Sequence, residues 1–172
     1  MSNTSAFNTA KKIQEGLNKL AGSQKQVLQK LLGQAAIAQA SLGIRRSQTP
    51  YGEAFAPLTS RVGIPLRRTG NNIQRSWTSE QERPTSFVFG NRFKYLATHQ
   101  YGAVIKPKRA RYLRFKSEKW GNVAAKKVVI PRRQMVPEQD TGGLGKRWLG
   151  AFKRTTQGYL ARQFARTGAG VT

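Results

Sequence analysis

The chain's one histidine, His99, sits in "THQYGAVIKPKRARYLRF", at the edge of a dense run of lysine and arginine. An imidazole beside such cations would suit proton transfer on a phosphate-bearing substrate. That chemistry needs a partner group. The chain has only 7 Asp plus Glu, and none lies near His99 in sequence. His99 is therefore read as a packed or hydrogen-bonding residue. A metal centre would need several His, Cys or acidic ligands at suitable spacing, and no such spacing is present. There is no cysteine, which excludes disulfides and thiolate sites. "TGGLGK", Thr141 to Lys146, lacks the GxxxxGK[ST] spacing of a phosphate loop and follows no apolar strand closely. No serine occupies a nucleophile-elbow pattern. The expectation is a protein that is not an enzyme, with no catalytic, cofactor-binding or metal-binding residues and no cofactor.

What remains is charge. With 31 Lys plus Arg, the formal net charge of the 172 residues is +24. A chain so basic repels itself and attracts polyanions, so nucleic acid is the first partner to test and an acidic membrane surface the second. Eleven cations lie between Lys106 and Arg133, and Glu118 alone opposes them. Lys106, Lys108, Arg109, Arg111 and Arg114 are the candidate contacts to DNA or to an acidic partner. They are placed on a hairpin, where alternation would put Arg109 and Arg111 on one face. Tyr112, Phe115 and Trp120 are available for base stacking. By the same alternation, Leu113 and Phe115 are also candidates for a buried side.

These residues need elements to hold them. The start of the chain reads as helical, with Ile13, Leu17 and Leu20 on one face. Ser23 is positioned to cap a second helix. There Val27, Leu28, Leu31, Leu32, Ala35 and Ala38 form an apolar stripe that packs on its own domain or meets another subunit. From Gly43 to Gly70, the Pro, Gly, Ser and Thr content predicts a long loop. Thr69 offers an N-cap to a short helix carrying Ile73 and Trp77. "TSFVFGN" reads as a strand, and "FKYLATHQYG" as a helical turn or two stopped by Gly102. "RYLRFK" and "KKVVIP" read as antiparallel partners, joined by a long hairpin loop "SEKWGNVAA" and ended by Pro131. A last helix carries Leu144, Trp148 and Phe152 at four-residue steps, with Leu149 widening the stripe. Leu28, Leu31, Leu32, Trp148 and Phe152 are candidates for a core or a subunit interface.

The predicted class is α+β: a small antiparallel sheet with a long hairpin, flanked by N-terminal and C-terminal helices. The linear division is a helical region over 1–42, an α+β core over 43–164 and a flexible tail over 165–172. No apolar stretch approaches the ~20 residues that cross a bilayer, and the N-terminus lacks the apolar core of a signal peptide. A soluble protein without membrane contact is expected.

Four segments occur in a recognisable order: "PYGEAFAPLTSR", "PLRRTGNNIQRSW", "FVFGNRFKYLATHQYGAVIKPKRARYLRF" and "KKVVIPRRQMVP". In that order the chain resembles the phage virion morphogenesis family, the tail-completion and neck proteins of Mu-like and related tailed phages. The resemblance covers roughly Leu28 to Phe152. It implies a structural head–tail junction protein that joins or completes head and tail around the DNA channel. It implies no enzymatic activity. The matching positions, Thr69, Gly70, His99, Gly102 and Pro131, would be structural. This chain has a longer basic hairpin loop and a longer C-terminal tail than the family pattern requires. The implied partners are further copies of the chain in a ring, with a hexamer the expected size, the tail terminator or tail tube, the head connector, and packaged double-stranded DNA. The implied location is the virion junction, with the host cytoplasm during assembly. The alternative from a different class is a non-catalytic, sequence-independent nucleic-acid-binding protein.

Overall fold

A computed structural model of the protein describes residues 13–59, 62–67, 72–83, 86–138 and 143–166. The fold is α+β, with helices toward both ends of the chain and small antiparallel sheets between them. Helix α1 covers residues 13–18. It is followed by α2 (Gly22–Arg46), α3 (Asn72–Arg75), α4 (Leu96–Tyr101) and α5 (Lys146–Arg166). The strands are β1 (Trp77–Arg83), β2 (Ser86–Asn91), β3 (Ala103–Ile105), β4 (Leu113–Ser117), β5 (Gly121–Ala125) and β6 (Val128–Ile130). They form three two-stranded sheets, β1–β2, β3–β6 and β4–β5. Among the described residues, no helix is long and apolar enough to cross a membrane.

The chain divides into two compact units. One comprises Met1–Ala38, Ser79–Gly90 and Trp148–Thr172; the other comprises Gln39–Thr78 and Asn91–Arg147. The sequence boundary at residue 42 falls within α2, and 167–172 lie outside the described residues.

In the first unit, Leu20, Leu28, Tyr159 and Leu160 make a buried cluster, with Leu17, Leu31, Leu32 and Phe164 packed against it. The Tyr159 hydroxyl donates to the Gln24 carbonyl at 2.9 Å, so its polar end is satisfied within the apolar contact. Helix α2 is capped by a different residue from the one expected. Its Gln24 side chain accepts the Ala21 N–H at 2.9 Å, as the glutamine of a capping box does, and Ser23 lies inside the helix. The stripe is also rotated. Val27 and Ala38 are exposed, and the inward positions are Leu28, Leu32, Ala36, Ala40 and Ile44. Four-residue spacing holds for this set, but in a helix so rich in alanine two neighbouring stripes look alike.

A second aromatic cluster joins α5 to β2. The Trp148 and Phe152 rings meet edge to face, with centroids 6.1 Å apart. Phe89 lies 5.7 Å from Trp148, and Phe87 lies 6.5 Å from Phe152. Phe87 and Phe89 project from one side of β2, as strand alternation requires. The expected C-terminal stripe is corrected at its flanks. Leu144 precedes the helix, and both it and Leu149 are exposed.

In the second unit, α2 ends in a Schellman motif. The Gln48 N–H donates to the Gly43 carbonyl at 2.9 Å, and the Ser47 N–H donates to the Ile44 carbonyl at 3.2 Å. Ser47 takes the left-handed conformation (φ 54°) that glycine usually supplies. The helix therefore outlasts Gly43, where the loop was expected to begin. Trp77 is corrected from helix to strand, because α3 stops at Arg75.

The hairpin itself is corrected as well. β4 pairs with β5, in register Leu113↔Ala125 to Ser117↔Gly121. β5 lies within the stretch expected to be loop. β6 pairs instead with β3, in register Ala103↔Ile130 to Ile105↔Val128. The turn is short because the Ser117 hydroxyl accepts the N–H groups of Lys119 and Trp120, at 3.1 and 3.2 Å. Gly121 then supplies the positive φ (67°) that returns the chain into β5.

Candidate functional site

The five basic candidates lie in the second unit, on the connection from β3 to β4. Residues 106–112 form no strand, so alternation does not place Arg109 and Arg111 on a common face; Arg114 alone is in a strand. Lys106, Lys108, Arg109, Arg111 and Arg114 are all exposed. None of the five forms an ion pair among the described residues. The Arg111 guanidinium lies 5.5 Å from the centre of the Tyr112 ring, and the Lys119 ammonium lies at the same 5.5 Å from that of Trp120. A solvated run of cations with adjacent rings can contact phosphates and stack on bases, but it offers no fixed donor pattern for reading a sequence.

Beside this segment is an open, largely apolar cleft of about 1070 Å³. Register explains its lining. Leu113, Phe115, Val123 and Ala125 share one face of β4–β5, while Arg114 and Lys116 alternate to the other. Ile105, Val128 and Ile130 contribute from β3–β6, and Phe93 and Tyr95 from the segment before α4. Lys127 is an exposed cation of its lining, and Arg114, whose side chain alternates to the other face, borders it along β4. The expectation that Phe115 is buried is corrected: it remains 36 % exposed, because the apolar face of β4–β5 borders the cleft.

His99 also lines the cleft and is half-buried. Its carbonyl accepts the Arg133 N–H at 2.7 Å. Its Nδ1 is buried and makes no hydrogen bond among the described residues. Burial, and then the charge of Arg133, hold the imidazole below its ordinary pKa of 6.5 and keep it neutral. Next to it, Gln100 is only 3 % exposed. Its Oε1 accepts the N–H groups of Met135 and Val136 at 2.8 and 3.3 Å, and its Nε2 donates to the Val136 carbonyl and to Glu138 at 3.0 and 2.6 Å. Arg133 is 4 % exposed and donates to the carbonyls of Ala56 and Pro57 at 2.8 and 2.9 Å, binding the long loop to the segment after β6. Gln100 and Arg133 were not singled out from sequence. Two buried polar side chains among carbonyls leave no periodic signal, and only the adjacency "HQYG" and "PRRQM" hints at them.

Gly102 stops α4 with φ 75°, and a Cβ there would lie 3.1 Å from the Ile130 carbonyl oxygen and the Arg132 nitrogen. Pro131 follows β6 and borders the cleft. Thr69 and Gly70 lie outside the described residues. Leu28 and Trp148 are buried within the first unit, and Leu31, Leu32 and Phe152 are partly buried there. Among the described residues, no group of three or more His, Cys, Asp or Glu comes together as a metal site would require. Compared with protein-family models, with curated proteins and with solved structures, the chain matches none.

Proposed function

We propose that the protein is a structural component of the head–tail junction of a tailed phage, acting without catalysis. In this reading it assembles as a ring, a hexamer being the expected size, between the tail terminator or tail tube and the head connector. It resides in the host cytoplasm until it is built into the virion. The observation that carries the reading is the exposed basic segment from Lys106 to Arg114 in a chain of net charge +24, set in a sequence whose motif order resembles virion morphogenesis proteins. A DNA channel needs attraction to phosphates without a base code, because the genome must slide through it. Symmetry multiplies each subunit's few contacts around the ring.

Two experiments test this. Size-exclusion chromatography with light scattering should give a closed ring of defined mass. Electron micrographs of lysates from a phage lacking the protein should show separate heads and tails. Joined, full particles in that lysate would overturn the reading.

A second reading, a sequence-independent nucleic-acid-binding protein outside any virion, is favoured by the two cation–ring pairs, Arg111 with Tyr112 and Lys119 with Trp120. Phage assembly unaffected by loss of the protein, together with tight single-strand binding, would select it.

A further inference from the structure

The geometry points to the cleft beside His99 as a docking site for an acidic, apolar segment of another protein, a contact distinct from phosphate binding by the 106–112 segment. The first observation is incomplete burial. β4–β5 is only two strands wide, and a lone hairpin is marginal in water unless its apolar face is covered. That face, with Phe115 36 % exposed and Trp120 at its turn 56 % exposed, opens onto the cleft. Tyr95 and Ile105, which also line it, are exposed as well. At about 1070 Å³ the space is at or above the ~300–1,000 Å³ of small-molecule pockets, and it is open as a peptide groove must be.

Charge selects the occupant. Lys127 lines the cleft and Arg114 borders it along β4, and Lys119 and Lys126 are exposed beside residues that line it. A second copy would bring its own +24 to this rim. The chain has seven acids to answer it, and Glu138 is already engaged by Arg132 at 2.6 Å and by Gln100. Duplex DNA would satisfy the cations but has no apolar side chains for the floor. A segment alternating carboxylates with aliphatic or aromatic side chains satisfies both. Extended, it also suits the outer edges of β3–β6 and β4–β5, each two strands wide, where backbone pairing would add affinity while alternate side chains enter the cleft.

The probe is a short fluorescein-labelled peptide alternating Asp with Leu, titrated with the full chain and read by anisotropy, with labelled polyglutamate and oligothymidine as the other arms. The peptide should bind about tenfold or more tightly than polyglutamate, and Phe115→Ser should remove that advantage without changing polyglutamate binding. Lys127→Glu, at an exposed position, should weaken the peptide and flatten its loss with salt even if Phe115→Ser fails to fold. Trp120 emission should shift to the blue on binding. Peptide binding no tighter than polyglutamate, or unchanged in both variants, overturns the proposal. Loss of oligothymidine binding in Phe115→Ser would reassign the cleft to single strands, and loss of self-association in that variant would reassign it to a second copy. None of these readouts depends on particle assembly, so the junction reading can fail while docking stands, or the reverse.

Discussion

The backbone N–H of Arg133 donates to the carbonyl of His99 at 2.7 Å, and the same arginine's guanidinium holds the carbonyls of Ala56 and Pro57. One buried cation thus ties a helix, the segment after β6 and the long loop together. Its charge is also the second cause, after burial, of the lowered His99 pKa.

From this follows a pH dependence. The folded protein keeps His99 neutral below its ordinary pKa of 6.5, whereas the unfolded chain protonates there. The unfolded state then binds more protons, so stability falls as pH drops below about 6.5 and levels off only below the lowered folded pKa. His99→Gln cannot titrate and should lose less melting temperature between pH 7 and 5 than the parent. Parallel thermal scans check this. Equal losses would mean that the imidazole titrates alike in both states. At neutral pH the variant should retain its fold, with a change of about 0.5–1.5 kcal/mol at most.

Gln100→Leu should be costlier. It removes the acceptor of the Met135 and Val136 N–H groups and the donor to Glu138. Stranding those groups in a buried site should cost about 2–4 kcal/mol in urea unfolding. A loss below about 0.5 kcal/mol would show that the segment after β6 finds other partners.

Two positions close to Pro50 give opposite glycine effects. Ser47 holds a left-handed conformation (φ 54°), so Ser47→Gly should stabilise by about 0.5–1 kcal/mol. At Gly145 a Cβ would collide with the Pro50 carbonyl oxygen, so Gly145→Ala should destabilise despite the entropy it removes. Denaturant midpoints of both variants test the pair, and the same sign for both would contradict the backbone geometry at one of the two positions.

Neighbours on α5 should differ as sharply. Trp148 is fully buried among Phe89 and Phe152, while Leu149 is 57 % exposed. Trp148→Ala should cost roughly 3–5 kcal/mol and Leu149→Ala under about 0.5 kcal/mol in the isolated chain. A large loss in both would place Leu149 in an interface between copies.

Much of the fold was legible in sequence because it is local. The helices at both ends follow from apolar spacing, the stop at Gly102 from its glycine and the end of β6 from Pro131. The failures are of two physical kinds. Alanine stripes do not fix a helix's rotation, so the spacing points to Val27 and Ala38 as Leu28's companions, whereas Ala36 and Ala40 are the buried ones. Strand partners are chosen across the chain, and three-residue "AVI" carries too little pattern to reveal that it, and not β4, pairs with β6. The cleft was not legible for the same reason: its lining comes from segments whose adjacency no linear motif records.

The basic segment is the test of nucleic-acid binding. Lys106, Lys108, Arg109, Arg111 and Arg114 are exposed and outside ion pairs among the described residues, so replacing all five with glutamine should leave the fold intact. Each phosphate contact to duplex DNA contributes about 0.9 to the slope of log affinity against log salt. If all five make such contacts, the variant's slope should be shallower by about 4–5 and its affinity lower for every sequence alike. Filter binding across a salt series, with two unrelated duplexes, measures both quantities. Loss on one duplex only would mean base readout, which an irregular exposed segment does not preorganise. An unchanged slope would move DNA contact elsewhere among the 31 cations of the chain. Combined with unjoined heads and tails in micrographs of the variant phage, that result would instead assign these five residues to an acidic protein neighbour.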